Sequence, residues 1–320
     1  MTARARTYAV VAIAALVAAG LVVATVAFTR TGAGGGTSPR AAPARAPSLV
    51  LDLGVRADPE AVALRRANRL YSAGRRRQAG RIFARYDSVA AAVGSALAAW
   101  PRGSVQRLER LAAGHPDNAL VLLHLGLARI ATGRPQAARS AWRQALARDP
   151  DTESAVQAES LLFPRYAPGR PPFVTSFPAP PGIDRLPPSR RLAAYRQDAR
   201  SRSLSAKLLY GAALQRVGRP VSAERQFSAA TRLAPGDAEA LTAAAVGRFT
   251  KADPGGAFSR LGPLARRFPR EQTVRYHLGE LLLWIGQLDE ARRQLRLARR
   301  AGRDTPLGKA AGQLLSIRTE

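Results

Sequence analysis

Polar and apolar positions divide the chain into three unequal regimes. Residues 8–28 carry no charge at all, with Arg4 and Arg6 before them and Arg30 just after. A helix of that length spans about 31 Å, the thickness of a bilayer's hydrocarbon core. This segment is expected to anchor the chain. The alternative is a cleaved signal with Thr25, Val26 and Ala27 at the cut, although such segments have shorter apolar runs, of about 7–15 residues. Residues 29–56 then lose hydrophobic periodicity and fill with Gly34, Gly35, Gly36, Pro39, Pro43 and Pro47, which reads as a flexible tether. The glycines follow a span rather than a strand, so they are not a phosphate loop.

Beyond the tether, apolar residues recur at helical spacing in paired blocks, and the pairs repeat every 34 residues. In residues 119–152, Leu122, Leu125, Gly126 and Ala128 lie on a first helix, and Gly133 makes a turn. Ala138, Trp142 and Ala145 lie on a second helix that Pro150 ends. Residues 204–237 repeat this register with Tyr210, Gly211, Leu214, Gly218, Ala223, Phe227, Ala230 and Pro235. Residues 272–305 repeat it with Leu278, Gly279, Leu282, Gly286, Ala291, Leu295 and Ala298, and place Arg303 where the others have proline. The register also recurs in 238–271, and weaker copies occupy 85–118 and, shortened, 60–84. Proline at position 17 of the unit (Pro101, Pro135, Pro220, Pro254) opens the second helix. Small residues let the two helices approach closely, a large residue fills the gap to the next pair, and proline ends the unit.

These positions resemble the tetratricopeptide repeat, in a membrane-anchored bacterial form. Arg129 departs from the pattern at position 11, where a large apolar residue is usual. The resemblance implies an all-α solenoid of helical hairpins, here in two lobes, residues 57–163 and 189–320, after a short tail (1–7) and the transmembrane helix. A helix opened by Pro306 and carrying Leu307, Ala311, Leu314, Leu315 and Ile317 would cap the far end. Residues 164–188 interrupt the array with eight prolines from Pro168 to Pro188 and with Phe173 and Phe177. That run is extended. It either links the lobes or lies in a groove and recruits a partner.

The resemblance also implies a ligand face. In such repeats, unit positions 2, 5, 6, 9, 12 and 13 line a concave groove. They fall on Leu120, Leu123, His124, Leu127 and Ile130; on Leu208, Leu209, Ala212, Gln215 and Arg216; and on Tyr276, His277, Glu280, Leu283 and Trp284. The groove so defined is mostly apolar and lacks a lysine and asparagine set for a terminal carboxylate. It suits an extended or helical apolar segment of another protein.

Charge adds a rival. The chain has 50 Lys and Arg against 22 Asp and Glu, a net +28. Arg292, Arg296, Arg299 and Arg303 recur at helical spacing with Arg293 and Arg300 beside them. Such a stripe would face an anionic polymer or lipid headgroups, or else only solvent. A nucleic-acid partner is the weaker variant of the same idea.

Catalysis is not expected. There is no cysteine, which excludes thiol chemistry, Cys-ligated metals and a lipid-modified cysteine. His124 and His277 fall several hairpins apart, too far for one metal ion, and His115 sits before Pro116 at a helix end. Gly302 and the run Gly308, Lys309, Ala310 mimic a phosphate loop with the wrong spacing. No metal and no cofactor is expected. The basic counts flanking the span nearly tie, and a long C-terminal domain favours a cell-membrane protein with its N-terminus inside and its repeats outside.

Overall fold

The computed structural model describes residues 45–316. The expected span at 8–28 and most of the expected tether lie outside them. Among the described residues no helix is long and apolar enough to cross a membrane.

The described chain is all-α, and two compact units part between Pro150 and Asp151. The first contains α1 (Pro59–Ser72), α2 (Arg76–Phe83), α3 (Val89–Ala98), α4 (Ser104–Gly114), α5 (Ala119–Ala131) and α6 (Pro135–Arg148). The second contains α7 (Glu153–Leu162), α8 (Pro188–Asp198), α9 (Leu204–Arg216), α10 (Pro220–Leu233), α11 (Ala238–Gly247), α12 (Gly255–Arg267), α13 (Gln272–Trp284), α14 (Leu288–Ala301) and α15 (Pro306–Ser316). Each unit is a stack of antiparallel hairpins, including the two weak copies, 60–84 and 85–118, which fold as α1–α2 and α3–α4.

Recurring signals start and stop most hairpins, although α13 lacks a side-chain cap and α2 and α14 lack an opening proline. First helices carry a side-chain cap: Asp58, Ser88, Asn118, Ser203 and Asp237 each accept the amide three residues on. Such caps satisfy an otherwise orphaned donor and contribute about 1 kcal/mol each. Second helices open with Pro135 and Pro220 at their first position, where no amide is needed. Pro254 stands just before its helix, and Pro101 lies three residues ahead of α4, so the proline signal marks the turn there rather than the helix start. Gly133, Gly218 and Gly286 take φ of 74°, 72° and 82° between the paired helices, a region that costs other residues strain.

Packing follows the repeat register. Ala138, Ala223, Ala257 and Ala291 are fully buried where the paired helices meet. The glycines eight positions into each strong unit lie flat against the large residue of the second helix. A β-carbon on Gly126 or Gly211 would overlap the ring of Trp142 or Phe227, and one on Gly279 would come 2.8 Å from Leu295 Cγ. Arg129, the departure from the pattern, turns its guanidinium to the Ala137 carbonyl at 3.2 Å and to Glu109 at 3.5 Å.

Two boundaries differ from expectation. The expected N-terminal lobe runs to residue 163, yet α7 belongs to the second compact unit. Asp151 explains this: its carboxylate accepts from the Ser222 amide at 3.0 Å, and its carbonyl accepts from Arg219 at 2.7 Å. The end of the expected tether is also packed. Leu49 and Leu53 are 5% and 4% exposed, and the Tyr71 hydroxyl donates to the Pro47 carbonyl at 2.6 Å. Helix α8 was not anticipated as a separate element. Pro188 at its first position was the available signal.

Candidate functional site

In the second unit, the first helices α9, α11 and α13 share one face, and the proline-rich segment runs along it. The segment is extended, as expected, and among its described residues it contains only a single 3₁₀ turn, Ile183–Arg185. Phe173 is fully buried. Its ring stacks on the His277 imidazole (centroids 4.7 Å apart, planes at 18°) and meets Phe227 edge-on at 5.3 Å.

Side chains from three successive hairpins read the segment's backbone. The Phe173 amide donates to Gln215 Oε1 at 2.7 Å, from α9. The Val174 amide donates to His277 Nε2 at 3.0 Å, from α13. The Ser176 amide and hydroxyl donate to the two carboxylate oxygens of Glu239, from α11, at 2.6 and 2.5 Å. An extended strand has no internal partner for its amides, so each buried one must find an acceptor outside the strand. These side chains supply the acceptors that a neighbouring strand would otherwise provide.

His277 is suited to this by its tautomer. Nδ1 lies 2.7 Å from the Thr273 carbonyl, one helical turn back, and so carries the proton. Nε2 is therefore bare and accepts. Burial holds the pKa down at about 4 and keeps the ring neutral. The first unit repeats the device. His124 Nδ1 lies 2.7 Å from the Leu120 carbonyl, its Nε2 accepts the Val50 amide at 3.2 Å, and burial lowers its pKa to about 4. Both histidines occupy position 6 of their 34-residue unit.

A second fastening lies upstream. Lys251 is fully buried, and its ammonium donates to the Ala167 carbonyl at 2.6 Å and to Ser160 Oγ at 2.8 Å. The Glu159 carboxylate accepts from the Lys251 amide at 2.9 Å and from Arg170 Nε at 2.7 Å. Burial lowers the Lys251 pKa to about 7, although Glu159 pulls the other way. Residues 167–170 are thus tied to α7 and to the chain after α11.

The expected groove residues divide by what covers them. Leu120, Leu123, His124, Leu208, Tyr276, His277, Glu280 and Trp284 are buried. They do not line an open groove in the described structure. Leu127, Leu209 and Gln215 are half-buried, and Arg216 is exposed. The structure joins His277 and Gln215 on one stretch of the segment. Leu209 instead packs beside the cluster of Ile183, Tyr195 and Ala213. Glu280 is the outlier: burial raises its pKa to about 8, and its Oε2 has no hydrogen-bond partner.

Sequence reasoning missed Glu239, Glu159, Lys251 and Tyr71. Glu239 stands at position 2 of the unit 238–271, so its register was available. Lys251 is one of three lysines, with Lys207 and Lys309, in a chain whose other basic residues are mostly arginine. Of the arginine stripe, Arg293, Arg296, Arg299, Arg300 and Arg303 are exposed and Arg292 is half-buried. Arg293 is paired with Glu290. Among the described residues, no group of three or more His, Asp or Glu side chains could hold a metal.

Two tetratricopeptide-repeat family models match the chain, over residues 249–315 and 120–152. No curated protein sequence matches. Solved structures match at low similarity. A tetratricopeptide-repeat protein from Parabacteroides merdae is 13% identical, covering 81% of this chain and 98% of that one, at a TM-score of 0.35. The TPR2AB domain of yeast Sti1, solved as a pHSP90 complex, is 12% identical over 82% and 98%, at 0.30. The Cut9-Hcn1 hetero-tetramer of the APC/C is 16% identical over 76% of this chain, at 0.31, and the chain spans 47% of that protein's length.

Proposed function

We propose that this chain is a membrane-anchored scaffold whose first-helix face takes an extended, apolar segment of another protein. The supporting observation is the way residues 173–176 are held. Gln215, Glu239 and His277 reach from three successive hairpins to backbone amides, and an aromatic side chain fills the space between Phe227 and His277. Side-chain acceptors aimed at a main chain select an extended conformation, and the aromatic site adds selectivity. On this reading residues 8–28 hold the chain in the cell membrane, with the repeats outside, and no catalytic step is involved.

An electrostatic function is the second reading. It is favoured by the exposure of Arg296, Arg299, Arg300 and Arg303 on and just after α14. Anionic polymers or lipid headgroups would be its partners.

Capture from solubilised membranes at low and high salt separates the two. Gln215→Ala and Leu127→Ala change half-buried or edge positions without emptying the core. Groove binding predicts that these weaken capture and that salt matters little. Arginine-driven binding predicts a steep fall with salt, because each phosphate contact releases counterions. It also predicts loss on changing Arg296, Arg299 and Arg300 together to Gln, and that result would overturn the groove reading.

A further inference from the structure

We propose that residues 173–176 are a displaceable internal ligand. The partner they stand in for is an extended protein segment carrying a phenylalanine, with a serine or threonine three residues later. The inference rests on the scaffold reading above and specifies both its ligand and its resting state.

Three observations carry it. First, the segment is held as a bound peptide would be. The acceptors are a Gln at position 12, a Glu at position 2 and a His at position 6 of successive repeats, and all three are spent on amides of residues 173, 174 and 176. The acceptors come one from each of three hairpins, so the contact runs along the whole first-helix face of this unit, as a bound peptide's would. Second, the device recurs. In the other unit, the position-6 histidine accepts the amide of Val50 from a second extended stretch, with Leu49 and Leu53 buried beside it. Two separate stretches using the same repeat position mark a kind of site rather than one accident of packing. Third, the chain between α7 and α8 is a long connection with only one 3₁₀ turn, and connections beyond about 12–15 residues are uncommon in compact domains unless they are functional or serve as linkers. Gly169 and Gly182 bracket it with φ of 84° and 85°, where the backbone can redirect.

The chemistry of the partner follows from the contacts. The ring of Phe173 sits flat on a neutral imidazole and edge-on to Phe227, so an aromatic ring is required there. Glu239 receives both an amide and a hydroxyl from Ser176, so the residue three after the aromatic one must bring a hydroxyl and no negative charge. Between the two, the Val174 amide is read by His277, Val174 packs against the core, and the Thr175 side chain is buried with its hydroxyl on the Phe177 carbonyl, so small or β-branched side chains fit there. A ligand of this type competes with the internal segment, so its apparent affinity is reduced by the fraction of molecules in which the face is open.

The test uses the full chain in detergent and a labelled peptide copying residues 169–179, followed by fluorescence anisotropy. Ser176→Asp sets a carboxylate against Glu239 and loosens the internal segment without removing a core side chain. Phe173→Ala removes the aromatic anchor. Circular dichroism reports whether each variant is folded. The expected result is binding about tenfold or more tighter to Ser176→Asp than to the unmodified chain, the same direction for Phe173→Ala, and loss of binding when the peptide's own phenylalanine is alanine. Equal binding to all chains would place the peptide elsewhere and overturn the proposal. So would folded variants that bind no better. A shift of the variants to dimers by light scattering would make a second copy the occupant and overturn the assignment to a foreign partner. If capture from membranes depends on Gln215 while the peptide result is negative, only this inference fails. If capture ignores Gln215 as well, the scaffold reading fails with it.

Discussion

Val174 and His277 are 103 positions apart, yet the amide of the first donates to the imidazole of the second at 3.0 Å. Val50 and His124 make the equivalent bond across 74 positions. In each case a helical carbonyl one turn back takes the other ring proton. The neutral ring is therefore a requirement: a second proton would set N–H against N–H.

That requirement predicts a pH dependence. Both histidines have folded pKa values near 4, lowered from 6.5 by burial. Above pH 6.5 the ring is neutral in both folded and unfolded chain, and the full stability is present. As pH falls from 6.5 toward 4 the unfolded chain takes up a proton that the folded chain refuses, and stability drops, by about 3 kcal/mol per ring across the window. The melting midpoint of His277→Gln should be flatter over that range than that of the unmodified chain. Parallel curves would show that the ring is not kept neutral.

Glu280 should act in the opposite sense. Burial raises its pKa from 4.5 to about 8, and Oε2 has no partner. Its folded state prefers the proton, so stability is complete below pH 4.5 and is lost as pH rises toward 8. Glu280→Gln should gain about 1–3 kcal/mol at pH 7.5 and nothing at pH 4.5, measured by denaturant titration. A variant less stable at pH 7.5 would mean the carboxylate has a partner that matters.

Lys251 fastens the segment upstream of Phe173. Lys251→Met keeps the volume and removes the donor to the Ala167 carbonyl and Ser160. The expected outcome is faster hydrogen exchange, by about tenfold or more, confined to the segment around residues 166–176, with the hairpins α13–α14 unaffected. Uniform exchange change over the whole unit would show the lysine to be part of the global core instead.

How much of this was legible in the sequence depends on range. The hairpins were legible because caps, prolines and left-handed glycines act within a few residues, and the 34-residue register multiplies a weak signal. The ligand face was legible as positions, since His277, Gln215 and Glu239 all fall on unit positions named for it. Its occupancy was not. That residues 173–176 lie on the face, one of two alternatives open for the proline-rich run, and that Leu49 and Leu53 are buried, depends on contacts from side chains dozens of positions away, with no periodicity to show them. Glu239 illustrates the limit: its register was readable, but its partner Ser176 lies 63 residues earlier in an aperiodic stretch.

The register itself gives the sharpest test of the fold. Gly211 and Ala223 occupy two of the small positions of one hairpin, and both are buried against its partner helix. A β-carbon on Gly211 would overlap the ring of Phe227, which is itself wedged against Phe173. The ring cannot retreat without disturbing the internal segment. Gly211→Ala therefore sets a gain in helix propensity, about 1 kcal/mol, against a steric clash in a close-packed site. The clash should win, with a net loss of about 1–3 kcal/mol. Ala223→Leu should cost a similar amount by forcing the paired helices apart, and Ala138→Leu should do the same in the other unit. Gly236, whose β-carbon would meet nothing within 4 Å, is the control, since Gly236→Ala should be near neutral. Thermal melts of the four variants decide the matter. If Gly211→Ala is as stable as Gly236→Ala, the helices do not meet at these positions, and the 34-residue register is misplaced.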